Sequence, residues 1–389
     1  MKEIYLDNNA TTKVDEAVFE EMRPYFTELY GNPSSMHFFG GQVQKKVDEA
    51  RNRVASLLGA QPEEIIFTAC GTESDNSAIR SALEVFPEKR HIVTSRVEHP
   101  AVLTLCRNLS KRGCRITELN VDSAGRLDLG ELARALDDDT AIVSLMYANN
   151  ETGVVFPIEE IGAMVKAKGA LFHTDAVQAV GKIPLNMATS TIDMLSLSGH
   201  KLHAPKGIGA LYLRKGVPFR PFLVGGHQER SRRAGTEATS SIIALGKACE
   251  QAALHMEEEN TRVLAQRDRL ERELLTLIPH ARINGGGAER LPNTLSIAFE
   301  FVEGEAILLL LSEHGICASS GSACTSGSLE PSHVLRAMGV PFTCAHGSIR
   351  FSLSRFTTDA EIDTVIRELP PIIRRLREIS PFGREMLVK

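Results

Sequence analysis

Polar side chains suited to catalysis follow the apolar, strand-like runs in the first half of this 389-residue chain. They offer hydroxyl, imidazole, amide, carboxylate and amine groups, each just past the end of a run. These residues are Thr72, His99, Asn150, Asp175, Gln178, Ser198, His200 and Lys201. Because ligands of open α/β sheets bind beyond the carboxyl ends of the strands, we expect these side chains to meet in one site.

Each of these residues also has an ordinary structural interpretation. Thr72 follows Gly71 at the start of a helical pattern, where a helix N-terminus can bind phosphate, but threonine is also a common N-cap. His99 can be a surface or structural histidine, and the adjacent amides of Asn149 and Asn150 can simply form a turn. The chemical interpretation therefore depends on the set as a whole.

Lys201 and Asp175, together with the phosphate donors, match what a pyridoxal phosphate site requires. The lysine forms a Schiff base with the aldehyde, and the carboxylate keeps the pyridine nitrogen protonated so that the ring acts as an electron sink. Once displaced by substrate, Lys201 is the natural base for the Cα proton. A phosphate-binding lysine is the alternative, but the sequence contains no G-x-x-x-x-G-K-[ST] motif.

The seven cysteines are odd in number, and the sequence contains no C-x-x-C pair. A disulfide framework or a self-contained zinc site is therefore not expected. Cys324 stands in the run ASSGSACTSGS (318–328), whose small side chains suit a loop that must reach a site and then move away. Cys317 is expected in the core. The thiols expected to be structural are Cys70, Cys106 and Cys114.

Short apolar runs alternate with amphipathic helical patterns between residues 64 and 215. Such runs are typical of strands buried on both faces, so a mostly parallel sheet covered by helices is expected. The expected strands are 64–68, 91–95, 140–147, 170–175, 192–198 and 209–213. The expected helices between them are 73–85, 100–112, 128–136 and 158–168.

A long helical pattern over 238–278 leads to a region with a different order of strands and helices. The elements expected there are strands 293–300, 316–319 and 348–353 and helices 304–315 and 359–378. Thr358 and Glu361 have the spacing of a capping box at the start of the last helix. The pattern indicates a smaller α+β domain that begins near residue 255.

The composition is that of an ordinary globular protein, with 43% hydrophobic and 24% charged residues. A formal net charge of −5 gives no electrostatic reason to expect nucleic acid or an anionic membrane as a partner. The N-terminus lacks the apolar core of a signal peptide, and no run approaches the ~18 apolar residues of a membrane span. A cytoplasmic location is expected.

Ten motifs spread over nearly the whole chain resemble those of cysteine desulfurases, the group that includes the nitrogen-fixation type and the housekeeping iron–sulfur type. SGHKLHAPKG and the NNATT start are more similar to the nitrogen-fixation branch. The motifs are YLDNNATT (5–12), GNPSSMH (31–37), TESDN (72–76), EHPAVL (98–103), NNETGVV (149–155), HTDAVQAVGK (173–182), SLSGHKLHAPKG (196–207), RRAGTE (232–237), SSGSACTSGSLEPSHVLRAMG (319–339) and SIRFSLSRFTT (348–358).

This resemblance implies the α/β architecture of PLP-dependent transferase fold type I. A mostly parallel seven-stranded sheet is expected in a large domain over 15–256. The small α+β domain is expected from 1–14 and 257–389, and it would carry the mobile cysteine loop at about 319–332.

The resemblance also implies roles in cofactor binding. Lys201 would hold pyridoxal phosphate, Asp175 would pair with the pyridinium nitrogen, and His99 would stack on the ring and transfer protons. Thr236 would reach the phosphate of the neighbouring subunit, which implies a homodimer with shared active sites. The other expected cofactor contacts are Thr72, Glu73, Asn150, Gln178, Ser198 and His200.

For the reaction, the resemblance implies that Asn150 and Arg350 receive the carboxylate of L-cysteine. Cys324 would take the substrate sulfur as a persulfide and leave L-alanine. An iron–sulfur scaffold protein would accept that sulfur, so Cys324 would contact metal only transiently, through its persulfide.

Other functions compete with this hypothesis. An aminotransferase, or a selenocysteine or kynurenine β-lyase, uses the same cofactor but needs no mobile thiol. A hydrolase could pair Cys324 with His333 or His346, although the strand–turn–helix elbow of such enzymes is missing around this cysteine. A metal scaffold is disfavoured by the spacing of the 12 histidines and 7 cysteines.

Overall fold

The computed structural model describes residues 3–320 and 331–380; Cys324, the central residue of the predicted cysteine loop, lies outside them. The strands are β1 (Ile4–Tyr5), β2 (Ile65–Thr68), β3 (His91–Ser95), β4 (Arg115–Leu119), β5 (Thr140–Ser144), β6 (Leu171–Asp175), β7 (Met194–Ser198), β8 (Gly209–Leu213), β9 (Ala281–Ile283), β10 (Thr294–Phe299), β11 (Ile316–Cys317) and β12 (Ser348–Ser352). The α-helices are α1 (Glu16–Met22), α2 (Pro24–Thr27), α3 (Phe38–Leu58), α4 (Gly71–Val85), α5 (Pro100–Ser110), α6 (Leu129–Ala135), α7 (Ile158–Ala167), α8 (Gln228–Ser231), α9 (Thr239–Leu254), α10 (Met256–Glu258), α11 (Leu264–Leu277), α12 (Gly304–Glu313), α13 (His333–Ala337), α14 (Phe342–Ala345) and α15 (Asp359–Ile379).

A seven-stranded sheet of order β2-β8-β7-β6-β5-β3-β4 forms the centre of the larger part. All neighbouring pairs are parallel except those of β8, which runs antiparallel to β2 and β7. Every residue of β5, β6 and β7 is buried, because helices cover both faces. The predicted α/β fold with a mostly parallel seven-stranded sheet is confirmed.

The sequence patterns located six of these strands but not β4. That strand, RITEL, lies at the sheet edge with four of its five residues partly or fully exposed, so it lacks an apolar signature. The N-terminal helices were also missed. The largest, α3, buries only a narrow stripe that includes Val43, Val47 and Val54. It packs on α9, where a Cβ on Gly246 would lie 2.5 Å from the Cα of Ala50.

The long helical pattern predicted over 238–278 forms α9, α10, a π-helical segment (Glu259–Val263) and α11 in succession, with a break at His255. Beyond it, β12, β10 and β9 form an antiparallel sheet against which α11, α12 and α14 pack. Helix α15 begins with the predicted capping box of Thr358 and Glu361.

Two main hydrophobic cores accompany these two regions. The larger lies around the seven-stranded sheet, and the smaller includes Leu6, Phe299, Phe351 and Val365. The chain between β11 and β12 does not stay with the smaller core, since Val334 and other residues of α13 and α14 pack on the larger core. The proposed domain limits therefore stay a prediction. Within the described ranges, no helix has the length and apolarity needed to cross a membrane.

Candidate active site

A cavity of about 400 Å³ opens at the carboxyl ends of β6 and β7, beside the N-terminus of α4. Parallel strands bring their following residues to one sheet edge, which is why residues distant in sequence meet here. The predicted residues that line it are Thr72, His99, Asn150, Asp175, Gln178, Ser198, His200, Lys201 and Arg350.

Lys201 ends a short 3-10 turn that follows β7. Its Nζ donates hydrogen bonds to the carbonyl oxygens of Asn9, at 2.5 Å, and Ala10, at 2.7 Å. The Asn9 carbonyl also accepts a hydrogen bond of 3.0 Å from Nε2 of Gln178. The N-terminal segment thus positions the amine at the cavity wall.

Asp175 closes β6, and its Oδ1 accepts a hydrogen bond of 2.9 Å from the backbone N–H of Val177. Burial raises the pKa of this carboxyl group, and the neighbouring His99, the N–H of Val177 and Lys201 partly oppose that rise. A carboxyl group that shares a cavity with a lysine amine can pair with a protonated ring nitrogen.

His99 caps the N-terminus of α5, where its Nδ1 accepts a hydrogen bond of 3.2 Å from the N–H of Ala101. Since Nδ1 is an acceptor, the neutral ring carries its proton on Nε2. Burial lowers the pKa of this imidazole, which favours the neutral form near pH 7. His99 therefore presents a single Nε2 proton.

The N-terminus of α4 offers an anion cradle. Its N-cap, Cys70, makes no side-chain cap to the first helical N–H groups, and Thr72 lines the cavity directly after Gly71. A Cβ on Gly71 would lie 2.8 Å from Cγ2 of Val177, so glycine allows the close packing of helix and strand end here. Such amide groups suit a phosphate.

His200 completes this side of the cavity. Its Nδ1 lies 3.2 Å from Oγ1 of Thr11, and burial and the charge of Lys201 lower the pKa of the ring to about 4. The imidazole is therefore neutral near pH 7 and can act as a hydrogen-bond donor without adding charge.

Arg350 projects from β12 and is almost fully buried. Its two terminal nitrogens donate to Oδ1 of Asp7, at 2.8 Å, and to the carbonyl of Asn150, at 2.9 Å. Its Nε is buried without a hydrogen-bond partner. A guanidinium fork at a cavity wall suits a carboxylate.

Two predicted residues lie outside the cavity of the single chain. The Glu73 carboxylate accepts hydrogen bonds from the N–H of Ala69, at 2.7 Å, and from Nε of Arg233, at 2.9 Å. Thr236 is exposed on the loop that follows Arg233. Their predicted cofactor contacts stay predictions, as does the role of Cys324, which lies outside the described residues.

Sequence reasoning assigned no role to three residues that the structure places at the site. Asn9 accepts from Lys201 and donates from Nδ2 to Oγ1 of Thr294, at 2.9 Å. Asp7 pairs with Arg350, and Asp75 lines the cavity from α4. All three residues could have been identified from the sequence, because they lie in the motifs that carry the resemblance.

The other cysteines divide by environment. Cys106 and Cys114 are buried in an apolar cluster, as expected of structural thiols, whereas Cys70 lines the cavity. Cys317 is half-buried in β11 opposite Tyr5, so its predicted core position is wrong. Across 3–320 and 331–380, no group of three or more His, Cys, Asp or Glu side chains could hold a metal ion.

Comparison with known proteins agrees with this geometry. The family model for aminotransferase class-V matches residues 4–365. "Cysteine desulfurase 2" of Trichormus variabilis is 65% identical over 385 residues, which cover 99% of this chain and 96% of that protein. "Cysteine desulfurase NifS" of Azotobacter vinelandii is 60% identical over 383 residues, which cover 98% and 95%. A solved structure of a NifS-like protein, 40% identical, superposes with a TM-score of 0.91 over 96% of this chain and 100% of its own.

Proposed function

The chain belongs to the aminotransferase class-V family, among the cysteine desulfurases, and from that premise we propose that it converts L-cysteine to L-alanine while Cys324 receives the sulfur. The C–S bond of the substrate breaks and an S–S bond forms, so cysteine and a protein thiol become alanine and a protein persulfide. The observation that carries this proposal is the convergence of Lys201, Asp175 and His99 on one cavity with Arg350 at its wall.

The cavity fits pyridoxal phosphate. When bound, this cofactor supplies an electron sink that makes the substrate Cα–H acidic and the sulfur transferable. Lys201 would hold it, Asp175 would face its ring nitrogen and Gln178 its ring hydroxyl, while the first amides of α4 would bind the phosphate. Side chains proposed to assist with the phosphate are Thr72, Ser198 and His200.

Different residues of this chain would then bind the substrate and transfer its protons. Arg350 fixes the substrate carboxylate through its fork, with Asn150 beside it. Lys201 Nζ would accept the Cα proton of the substrate. The Nε2 proton of His99 would be available to the leaving group and to the substrate carbon that is protonated again. Asp175 would supply the negative charge that pairs with the ring nitrogen.

The assembly follows from the same proposal. Thr236 is exposed on one chain, which suits a contact with the cofactor phosphate of a second copy in a homodimer. We infer that an iron–sulfur scaffold protein accepts the persulfide in the cytoplasm, with nitrogenase maturation as the role that the resemblance to the nitrogen-fixation branch favours. Cys324 would meet metal only in that transfer.

Mass spectrometry of the Cys324 peptide tests the reaction. After incubation with cysteine, the peptide should gain one sulfur that reductant removes, and alanine should appear in solution. Cys324→Ala should lose sulfide release while keeping the cofactor absorbance, and Cys317→Ala, away from the cavity, serves as the matched control with activity retained. Unchanged turnover in Cys324→Ala would instead favour a β-lyase or aminotransferase.

A further inference from the structure

A second carboxyl group lies beside Asp175 and has no assigned role. Asp75, on α4, lines the same cavity and exposes 1% of its surface. Its Oδ1 is buried without a hydrogen-bond partner and lies 3.6 Å from Nε2 of His173. An unpartnered oxygen of an ionised carboxylate at such a position would carry a large desolvation penalty.

The imidazole ring of His173 cannot supply a positive charge to pair with the Asp75 carboxylate. Nδ1 of His173 lies 2.9 Å from Oγ of Ser144, and its Nε2 lies 2.9 Å from Oγ of Ser196. Burial lowers the pKa of His173 to about 3, so this imidazole stays neutral. Asp75 therefore has no cationic partner in His173.

Two buried carboxyl groups at one cavity do not both ionise readily, so one of them keeps a proton. Burial raises the pKa of Asp175, but His99, the N–H of Val177 and Lys201 oppose that rise. After burial, the strongest influence on the pKa of Asp75 is the carboxylate of Asp175, and both raise it; Ser196 lowers it and Glu98 raises it further. The proton thus belongs on Asp75.

We propose that Asp75 is a protonated carboxylic acid in the native enzyme and a positioning residue that leaves Asp175 as the ionised carboxylate that would pair with the cofactor's ring nitrogen. Its acid hydrogen is directed toward Nε2 of His173, 3.6 Å from Oδ1, and toward the Ser196 hydroxyl that contacts the same nitrogen. This role rests on the proposed function of Asp175.

Infrared spectroscopy of the holoenzyme tests the protonation state. The carbonyl stretch of a protonated carboxylic acid should be present at pH 7 and absent from Asp75→Asn. Glu98→Gln is the matched control, because Glu98 is a fully buried carboxyl group of the same region whose pKa burial raises to about 8. It should remove a different acid band and leave that of Asp75. Loss of carboxylate bands alone in Asp75→Asn would overturn the proposal.

Ser196→Ala covers the case in which Asp75→Asn does not fold. This variant keeps the carboxyl group and removes the nearby hydroxyl, so the Asp75 band should shift; an unshifted band would contradict the placement of the acid hydrogen. These spectra report protonation without turnover, so their outcome is separate from that of the desulfurase assay.

Cofactor affinity supplies the readout for positioning. Asp75→Asn replaces a neutral group by a neutral one, so the Kd for pyridoxal phosphate should change less than about threefold. Asp175→Asn removes the charge itself and should weaken binding roughly tenfold or more, the equivalent of one pKa unit of interaction. Equal losses in the two variants would show that Asp75 is ionised.

Discussion

The buried ion pair of Arg51 and Glu229 should stabilise the protein far more than the surface pairs do. The side chains of Arg51 and Glu229 are only 9% and 4% exposed. Both guanidinium–carboxylate bonds measure 2.7 Å, and the N–H of Phe67 donates to the same carboxylate at 3.0 Å. The guanidinium also lies 4.6 Å from the Phe67 ring centroid.

These bonds hold a strained turn. Glu229, Arg230 and Ser231 have φ angles of 46°, 57° and 62°, in the left-handed region. Such a conformation costs about 1–2 kcal/mol for each residue that is not glycine. The ion pair must offset that strain, so the turn depends on it.

Glu229→Gln leaves the Arg51 charge buried without its counter-ion. Breaking a buried pair from one side costs about 3–5 kcal/mol, and the expected decrease in the free energy of unfolding is of that size. Equilibrium urea denaturation at matched protein concentration measures it. Glu250→Gln is the control, because Glu250 is 34% exposed and its pairs with Lys247 and Arg53 are worth under about 1 kcal/mol.

An apolar double replacement separates charge burial from general disruption. Arg51→Met with Glu229→Leu removes both charges and should recover much of the loss, since buried pairs and apolar substitutes are often nearly equivalent. A cost for Glu229→Gln no larger than that of Glu250→Gln would refute the reasoning. So would a double variant that is less stable than wild type by the full sum of the losses measured for Arg51→Met and Glu229→Leu alone.

Three further predictions concern protonation, substrate binding and packing. The pKa of Glu98 is raised to about 8 by burial, so between its unfolded pKa and 8 the native state holds a proton that the unfolded state lacks, and stability falls as pH rises. Relative to wild type, Glu98→Gln should gain about 1.4 kcal/mol per pH unit between pH 5 and 7.5; parallel unfolding curves would contradict this. Arg350→Lys should raise the KM for cysteine about 10- to 100-fold in steady-state assays because the fork is lost, and an unchanged KM would exclude Arg350 as the carboxylate site. Gly162→Ala should lower the thermal midpoint, because its Cβ would lie 1.9 Å from Oγ1 of Thr191, whereas Gly41→Ala in α3, with nothing within 4 Å, should raise it.

The active-site residues could be identified from sequence where a local pattern determines their position. Asp175 and Lys201 follow fully buried strands, and parallel strands place such residues at one edge. The chemistry of these two side chains then narrowed the choice of cofactor, since few cofactors need a lysine and a carboxylate together. The mostly parallel sheet was inferred from short apolar runs separated by helices, whereas its seven strands were implied by the resemblance to cysteine desulfurases.

The remainder depends on contacts between distant parts of the chain. Nothing near Arg350 in sequence indicates that Asp7 is its partner, because 343 residues separate them. The turn at Glu229 could not be predicted from the sequence, because left-handed φ angles are not expected for Glu, Arg and Ser. Strand β4 has a polar edge position, which periodicity does not distinguish from a loop.

The N-terminal segment has a consequence for synthesis of the protein. Residues 4–12 are synthesised hundreds of residues before their partners, since β1 pairs with β11 and Nδ2 of Asn8 donates to the carbonyl of Ser352, 344 residues later. The same segment supplies the carbonyls of Asn9 and Ala10 that position Lys201. A nascent chain can form much of the large sheet early but cannot fix its lysine until β11 and β12 have been made. Cofactor loading is thereby delayed until those strands exist, and products truncated before them are left without a competent site.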